Sequence, residues 1–257
     1  MNNERFLQPL IERLLSLVGL QQTLAYASTC KWYRKERKWL IEQHAIVDHR
    51  VAEQFAGGIS IKHRSAKVER VDQLEVLPLP PKLTNLTFDR HFDQSLDNVT
   101  LPHTLTHLTF GHWFEQPLDN VTFPSTLSHL TFGHWFNQPL YNVKLPPKLK
   151  HLTFGYCFKQ PLDNVTLPPT LTHLTFGSWF NRPLDNVTLP PTLTHLTFGD
   201  RFDQPLDNVT LPSTLTHLTF GFDFNWSLDN VTLTPTLTHL TFGRCFNLVR
   251  ASEHDIA

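Results

Sequence analysis

The chain has 257 residues, enough for one elongated domain and a small second one, and a formal net charge of −1. That balance removes any whole-chain attraction to nucleic acid or to an acidic membrane surface, so neither is expected as a partner. No apolar run approaches the ~20 residues of a membrane span, and three cysteines are too few and too uneven for a disulfide framework.

Residues 1–56 read as a bundle of about three helices. Apolar residues fall at Leu10, Leu14, Leu17 and Val18, then at Leu24, Ala27 and Cys30, with a break at Gly19. The first segment carries an acid among its opening residues, so it reads as an amphipathic helix rather than a secretion signal. The run Lys31–Lys38 is basic and interleaved with aromatics. One such patch without net positive charge reads as a solvated helix face, with Trp32 and Tyr33 in the bundle. Gly57-Gly58 marks a boundary, and 57–73 reads as a charged connector.

From Leu74 the sequence becomes periodic. Leu-x-x-Leu-Thr-Phe recurs every 22 residues, starting at Leu83, Leu105, Leu127, Leu149, Leu171, Leu193, Leu215 and Leu237, behind a half repeat at 74–82. A fixed period of this size predicts a solenoid whose units bury their apolar faces only by stacking. Within one unit, Leu108 and Phe110 alternate with Thr109 at the period of a strand with one buried face, and β-branched threonine favours that strand. Gly111 ends it. Phe114, Leu118, Val121 and Phe123 add inward apolar groups. Pro117 and Pro124 forbid a helix on the return path, which is expected to be extended. The expected fold is therefore a small N-terminal α-helical bundle followed by a β-rich solenoid with one parallel strand per 22-residue repeat. The array spans 74–247, and 248–257 form a tail.

Three columns could carry chemistry. His107, His129, His151, His173, His195, His217 and His239 form a row on the expected concave face. A uniform row lacks the nucleophile, orienting group and convergent mixed ligands that catalysis or a metal site needs. Neutral stacked rings are expected, with no metal and no cofactor. Asn98, Asn120, Asn142, Asn164, Asn186, Asn208 and Asn230 are expected to form an internal amide ladder at a turn. The two residues after the glycine vary most. They include His112, Trp113, His134, Trp135, Tyr156, Trp179, Arg201 and Phe222. Either they point outward as a target-binding rim of the residue types that dominate binding energy, or the tryptophans pack as a ladder between repeats.

The cysteines Cys157 and Cys245 share one of these columns, four repeats apart. At ~4.8 Å per strand that is roughly 19 Å, well beyond the ~7 Å a disulfide tolerates. All three thiols, Cys30 included, are read as free, which suits a reducing compartment. The Asn-x-Ser/Thr sequons at Asn85, Asn98, Asn120, Asn164, Asn186, Asn208, Asn225 and Asn230 are read as a by-product of the repeat.

The Leu-x-x-Leu-x-Phe strand with proline on the return path resembles a short leucine-rich repeat. "FNQPL" at Phe136 and "FNRPL" at Phe180, flanked by "LTHLTFG" and "LDNV", resemble the FNIP repeat across residues 74 to about 247. That family is common in social amoebae and in giant viruses of amoebae, often behind an F-box. "LLSLVGLQQTLAYASTCKWYRKE" resembles the F-box pattern, with Phe6-Leu7 where Leu-Pro usually opens it. The resemblance implies that Leu10, Leu14, Leu15, Leu17, Leu24, Cys30 and Tyr33 contact a Skp-type adaptor of a cullin–RING ubiquitin ligase. The array would then present an unidentified target protein, by proximity and without chemistry of its own. The alternative is a non-catalytic protein–protein interaction scaffold whose helices only cap the array. The expected location is the cytoplasm, that of the host cell for a viral protein, or the nucleus.

Overall fold

The computed structural model describes the backbone of residues 59–62 and 65–68, and residues 79 and 82–246 with their side chains. The helical reading of residues 1–56, the F-box positions within it, Cys30, most of the half repeat and the tail lie outside the described residues.

Ten strands form one sheet in strict chain order. The first two are β1 (Ile59–Lys62) and β2 (Ser65–Val68), an antiparallel hairpin in the stretch expected to be a connector. Eight strands of the repeat follow: β3 (Asn85–Phe88), β4 (His107–Thr109), β5 (His129–Thr131), β6 (His151–Thr153), β7 (His173–Thr175), β8 (His195–Thr197), β9 (His217–Thr219) and β10 (His239–Thr241). β2 pairs parallel with β3, so the hairpin seats directly on the array. From β3 onward every pairing is parallel. From β4 onward each residue faces its counterpart 22 positions away, His107 against His129 and Leu108 against Leu130. This is a parallel β-solenoid of about seven turns.

Three reverse turns bend each 22-residue unit. One follows the strand, closed by Phe114 N–H donating to Gly111 C=O at 3.2 Å. The next is Leu-Asp-Asn-Val, closed by Val121 to Leu118 at 3.1 Å, and the last brings Leu105 back to Pro102 at 3.0 Å. Glycine, asparagine, aspartate and proline supply these turns for the usual stereochemical reasons. No helix occurs among the described residues, in keeping with a proline on each return path.

The core is a set of columns. In one unit Leu105, Leu108, Phe110, Phe114, Leu118, Val121 and Phe123 are all buried, and most of these positions recur buried in later units. Each is worth ~1.5–3 kcal/mol when fully removed from water. Two phenylalanine columns stack face to face along the axis. The Phe110 column steps by 5.4–5.7 Å. The deeper Phe114 column steps by 6.0–6.4 Å. The histidines on the strand face step by only 4.0–4.2 Å. Spacing that grows with depth means the stack curves, with the strand face on the inside. That face is concave, as expected.

A candidate interaction surface

The concave face carries the histidine row. In β4 the Thr106 hydroxyl donates to the Thr84 carbonyl of the preceding unit at 3.0 Å and lies 2.9 Å from His107 Nδ1. The same hydroxyl–Nδ1 pair recurs at His129, His173, His195, His217 and His239. With the hydroxyl proton committed to the carbonyl, Nδ1 is the donor and Nε2 keeps its lone pair.

Burial, and then the neighbouring imidazoles and the Lys150 ammonium, push His129 down to about 4. His151, His173 and His195 are lowered by the same two causes, burial first and like charge second. These four rings are therefore neutral at pH 7. Being parallel, they send their Nε2 lone pairs out along parallel lines that do not converge on one ion. Among the described residues no group of three or more His, Cys, Asp or Glu could hold a metal.

The asparagine ladder is not where the sequence placed it. Asn98, Asn120, Asn142, Asn164, Asn186, Asn208 and Asn230 are all exposed, as the third residue of the Leu-Asp-Asn-Val turn. The side-chain ladder runs instead just after the second phenylalanine. Asp93 accepts from Glu115 N–H at 2.9 Å, Asn137 from Lys159 at 3.0 Å, Asn181 from Asp203 at 3.1 Å and Asp203 from Asn225 at 3.2 Å. The column also holds Glu115 and Lys159, but the side chains that accept are Asn or Asp, since a carboxylate and an amide oxygen accept equally well.

A second ladder went unnoticed in the sequence. Thr126 donates to Leu105 C=O at 2.8 Å, and Thr104, Thr170, Thr192, Thr214 and Thr236 make the same bond. The Thr-Leu ahead of six of the eight repeat strands was its signal.

The variable pair after the glycine forms the edge beyond the strands. The backbone ladder continues through it: Trp113 N–H donates to Arg90 C=O at 3.0 Å, Trp135 to His112 at 3.0 Å and Cys157 to His134 at 2.8 Å. Some of these side chains point outward and others pack between units. Trp113 is 41% exposed, Tyr156 43% and Phe222 46%. Arg201 is also exposed, whereas His112, His134, Trp135 and Trp179 are half-buried.

The rings also stack along the axis. His112–His134 and His134–Tyr156 centroids are 4.4 and 4.7 Å apart, and Trp113–Trp135 are 5.4 Å apart and nearly parallel. Cys157 replaces a ring in the tryptophan column and is buried; burial, then Glu115, raises its thiol. Past that gap Trp179 tilts toward Tyr156 and carries the Arg201 guanidinium 4.9 Å above its ring. The buried indole N–H groups of Trp135 and Trp179 have no hydrogen-bond partner among the described residues. Cys157 and Cys245 are both free thiols.

The FNIP Repeat family matches residues 72–113, 92–135, 114–157, 136–178 and 180–223. The chain belongs to the FNIP repeat family. Its overlapping matches follow the 22-residue turns, each taking in about two. Among solved structures, this FNIP chain is similar to one described as "The crystal structure of CroV588 a novel circular LRR protein structure", at 38% identity over 66% of this chain and with a TM-score of 0.49. The match spans 35% of that protein. No curated protein matched the chain.

Proposed function

We propose that this FNIP array is a non-catalytic scaffold that binds a protein target along its curved inner face and aromatic edge. The observation that carries this reading is the edge itself. Stacked rings at Trp113, Trp135, His134 and Tyr156 are rigid, partly exposed and rich in the residue types that anchor protein interfaces. Stacking has already restricted their rotamers, so binding costs little further side-chain entropy. The test is affinity capture of target by the full chain, compared with the double variant Trp113→Ala/Trp135→Ala. Capture should fall at least tenfold while the melting temperature changes by only a few degrees. Unchanged capture removes the edge from the interface.

A finer reading rests on the N-terminal sequence, where Leu14, Leu15, Leu17, Leu24, Cys30 and Tyr33 follow the order of an F-box. In it the N-terminal segment docks a Skp-type adaptor, and a target held by the array is brought within reach of a ubiquitin ligase. Linking the two binding events makes transfer effectively intramolecular. The discriminating variant is Leu14→Asp in the full chain. Loss of adaptor capture with an unchanged melt of the array supports docking. A collapsed melt assigns the N-terminal segment to capping, and the simple scaffold remains.

A further inference from the structure

One turn of the array departs from all the others. Between residues 82 and 246 the chain has nine Lys or Arg, and four of them, Lys144, Lys148, Lys150 and Lys159, fall within one 16-residue stretch. The same region contains none of the twelve Asp or Glu of residues 82–246; Asp119 and Asp163 are the nearest on either side. Tyr141 even replaces the aspartate that the Leu-Asp-Asn-Val turn carries in the other described units, and it is exposed. All four lysines are exposed. None has an ion-pair partner among the described residues.

Two of these lysines displace working parts of the fold. Lys148 occupies the column in which threonine donates to the carbonyl of the preceding unit, as Thr126 and Thr170 do on either side. Lys150 occupies the column whose hydroxyl sits against the histidine Nδ1 in six other units; His151 alone of its row follows a residue with no hydroxyl. Both substitutions forfeit a hydrogen bond that the repeat otherwise makes, and both replace it with an unpaired cation. A local rule broken twice in one turn with no structural compensation marks a functional position.

Placement indicates the partner. Lys150 is the one Lys, Arg, Asp or Glu on the concave face between Asn85 and Thr241, a face otherwise made of threonine, serine, asparagine and histidine. Lys148 and Lys150 stand at the entry to β6. Tyr156 and Lys159 stand past its exit, with the Lys159 ammonium 5.8 Å from the Trp179 ring. Cations and aromatic rings therefore bracket a single strand, across the array and not along it. A long polyanion laid along the axis would meet one cation, Lys150, on the concave face, and Glu115 and Asp203 on either side of Lys159 in that residue's column, so duplex or extended single-stranded nucleic acid is disfavoured. A short segment crossing the face meets only positive charge.

We infer that the turn Tyr141–Lys159 is the docking site for a short acidic peptide segment of the target, lying across β6 with its carboxylates on Lys148, Lys150 and Lys159 and an apolar side chain on the Trp135–Tyr156 edge. This rests on the scaffold reading and names the chemistry of its target.

The test selects displayed random dodecapeptides on the full chain and titrates the recovered peptides by fluorescence anisotropy. A twelve-nucleotide oligothymidylate serves as the comparison polyanion. Peptides enriched in Asp and Glu are expected, with binding that weakens as salt rises. Lys148→Thr/Lys150→Thr should weaken the peptides at least tenfold and should not lower the melting temperature, because each threonine is what the neighbouring units carry. Recovery without acidic enrichment overturns the inference, as does equal binding by the lysine variant. Tighter binding of the oligonucleotide than of the best peptide also overturns it, in favour of nucleic acid. If peptides respond to Trp113→Ala/Trp135→Ala but not to the lysine variant, the acidic-segment inference fails and the scaffold reading stands. If no peptide is recovered, both fail.

Discussion

At the scale of single residues the glycine after each strand is the tightest constraint in the chain. A Cβ placed on Gly155 would collide with the carbonyl oxygen of Gly133, one unit before, and the same holds from Gly133 to Gly243 along the column. The obstacle is backbone, which cannot rotate out of the way. Gly155→Ala should therefore cost ~3 kcal/mol, as overpacking against a fixed neighbour does, and a fall of several degrees in the melting temperature would show it. The sequence marked this glycine only as the end of the strand. Its recurrence was visible, but the close approach of the neighbouring unit is a distance between residues 22 apart, and no local pattern expresses that. The variable pair beside it was legible as the place where units differ. Whether the rings projected or stacked was not, because a tryptophan can do both, and here Trp113 does.

At the scale of elements the histidine row gives the array a pH dependence whose sign can be worked out. His129 titrates at about 4 in the folded chain, below the ~6.5 of an unfolded histidine. Between those values the unfolded chain binds more protons, so stability is fully present above about pH 6.5 and is lost as the pH falls toward 4. His151, His173 and His195 are shifted the same way and steepen the loss. A thermal melt series from pH 7.5 to 4.5 should show a falling midpoint. His129→Asn should flatten it, and Asn85 already occupies that column in β3. An equal slope in the variant would remove the row as the cause.

The parallel pairing and the alternation around Leu108 were readable from the period, whereas the strand proved to be His107–Thr109 and to stop short of Phe110. The amide ladder was assigned to the wrong column. Invariance drew attention to Asn98 and its equivalents, whereas the ladder runs through Asp93, Asn137, Asn181 and Asp203, where two residue types meet one need. The invariant asparagine answers to turn geometry, for which Asp and Asn are favoured residue types.

At the scale of the whole molecule, stability should follow the number of stacked units, because each unit contacts only its neighbours. Deleting residues 173–194, one full period, joins Thr172 to His195 and leaves every column in register. The shortened chain should fold and melt cooperatively, at a modestly lower temperature. Deleting 11 residues, 173–183, puts Asp185 into the buried leucine column where Leu174 stood and Pro191 into that of Phe180, and should abolish folding; circular dichroism and melting curves would separate the two outcomes. A shortened full-period variant that fails to fold would mean that the array is closed by contacts beyond nearest neighbours.

The sequence by itself determined the period, the identity of the buried columns, the parallel stacking, the FNIP resemblance and the crowding of four lysines into one turn. These are properties of the units' own residues: repetition copies the columns without ambiguity, and the lysine turn stands out against them. The tertiary structure alone decided what passes between units: the backbone contact that demands glycine, the true position of the side-chain ladders, the concavity of the strand face and the half-exposed stacking of the aromatic edge. Each of these depends on atoms 22 residues apart, brought within about 4–6 Å by a strand spacing of ~4.8 Å. It also showed that the lysines stand exposed across one strand, where their lost ladder bonds become a question of function.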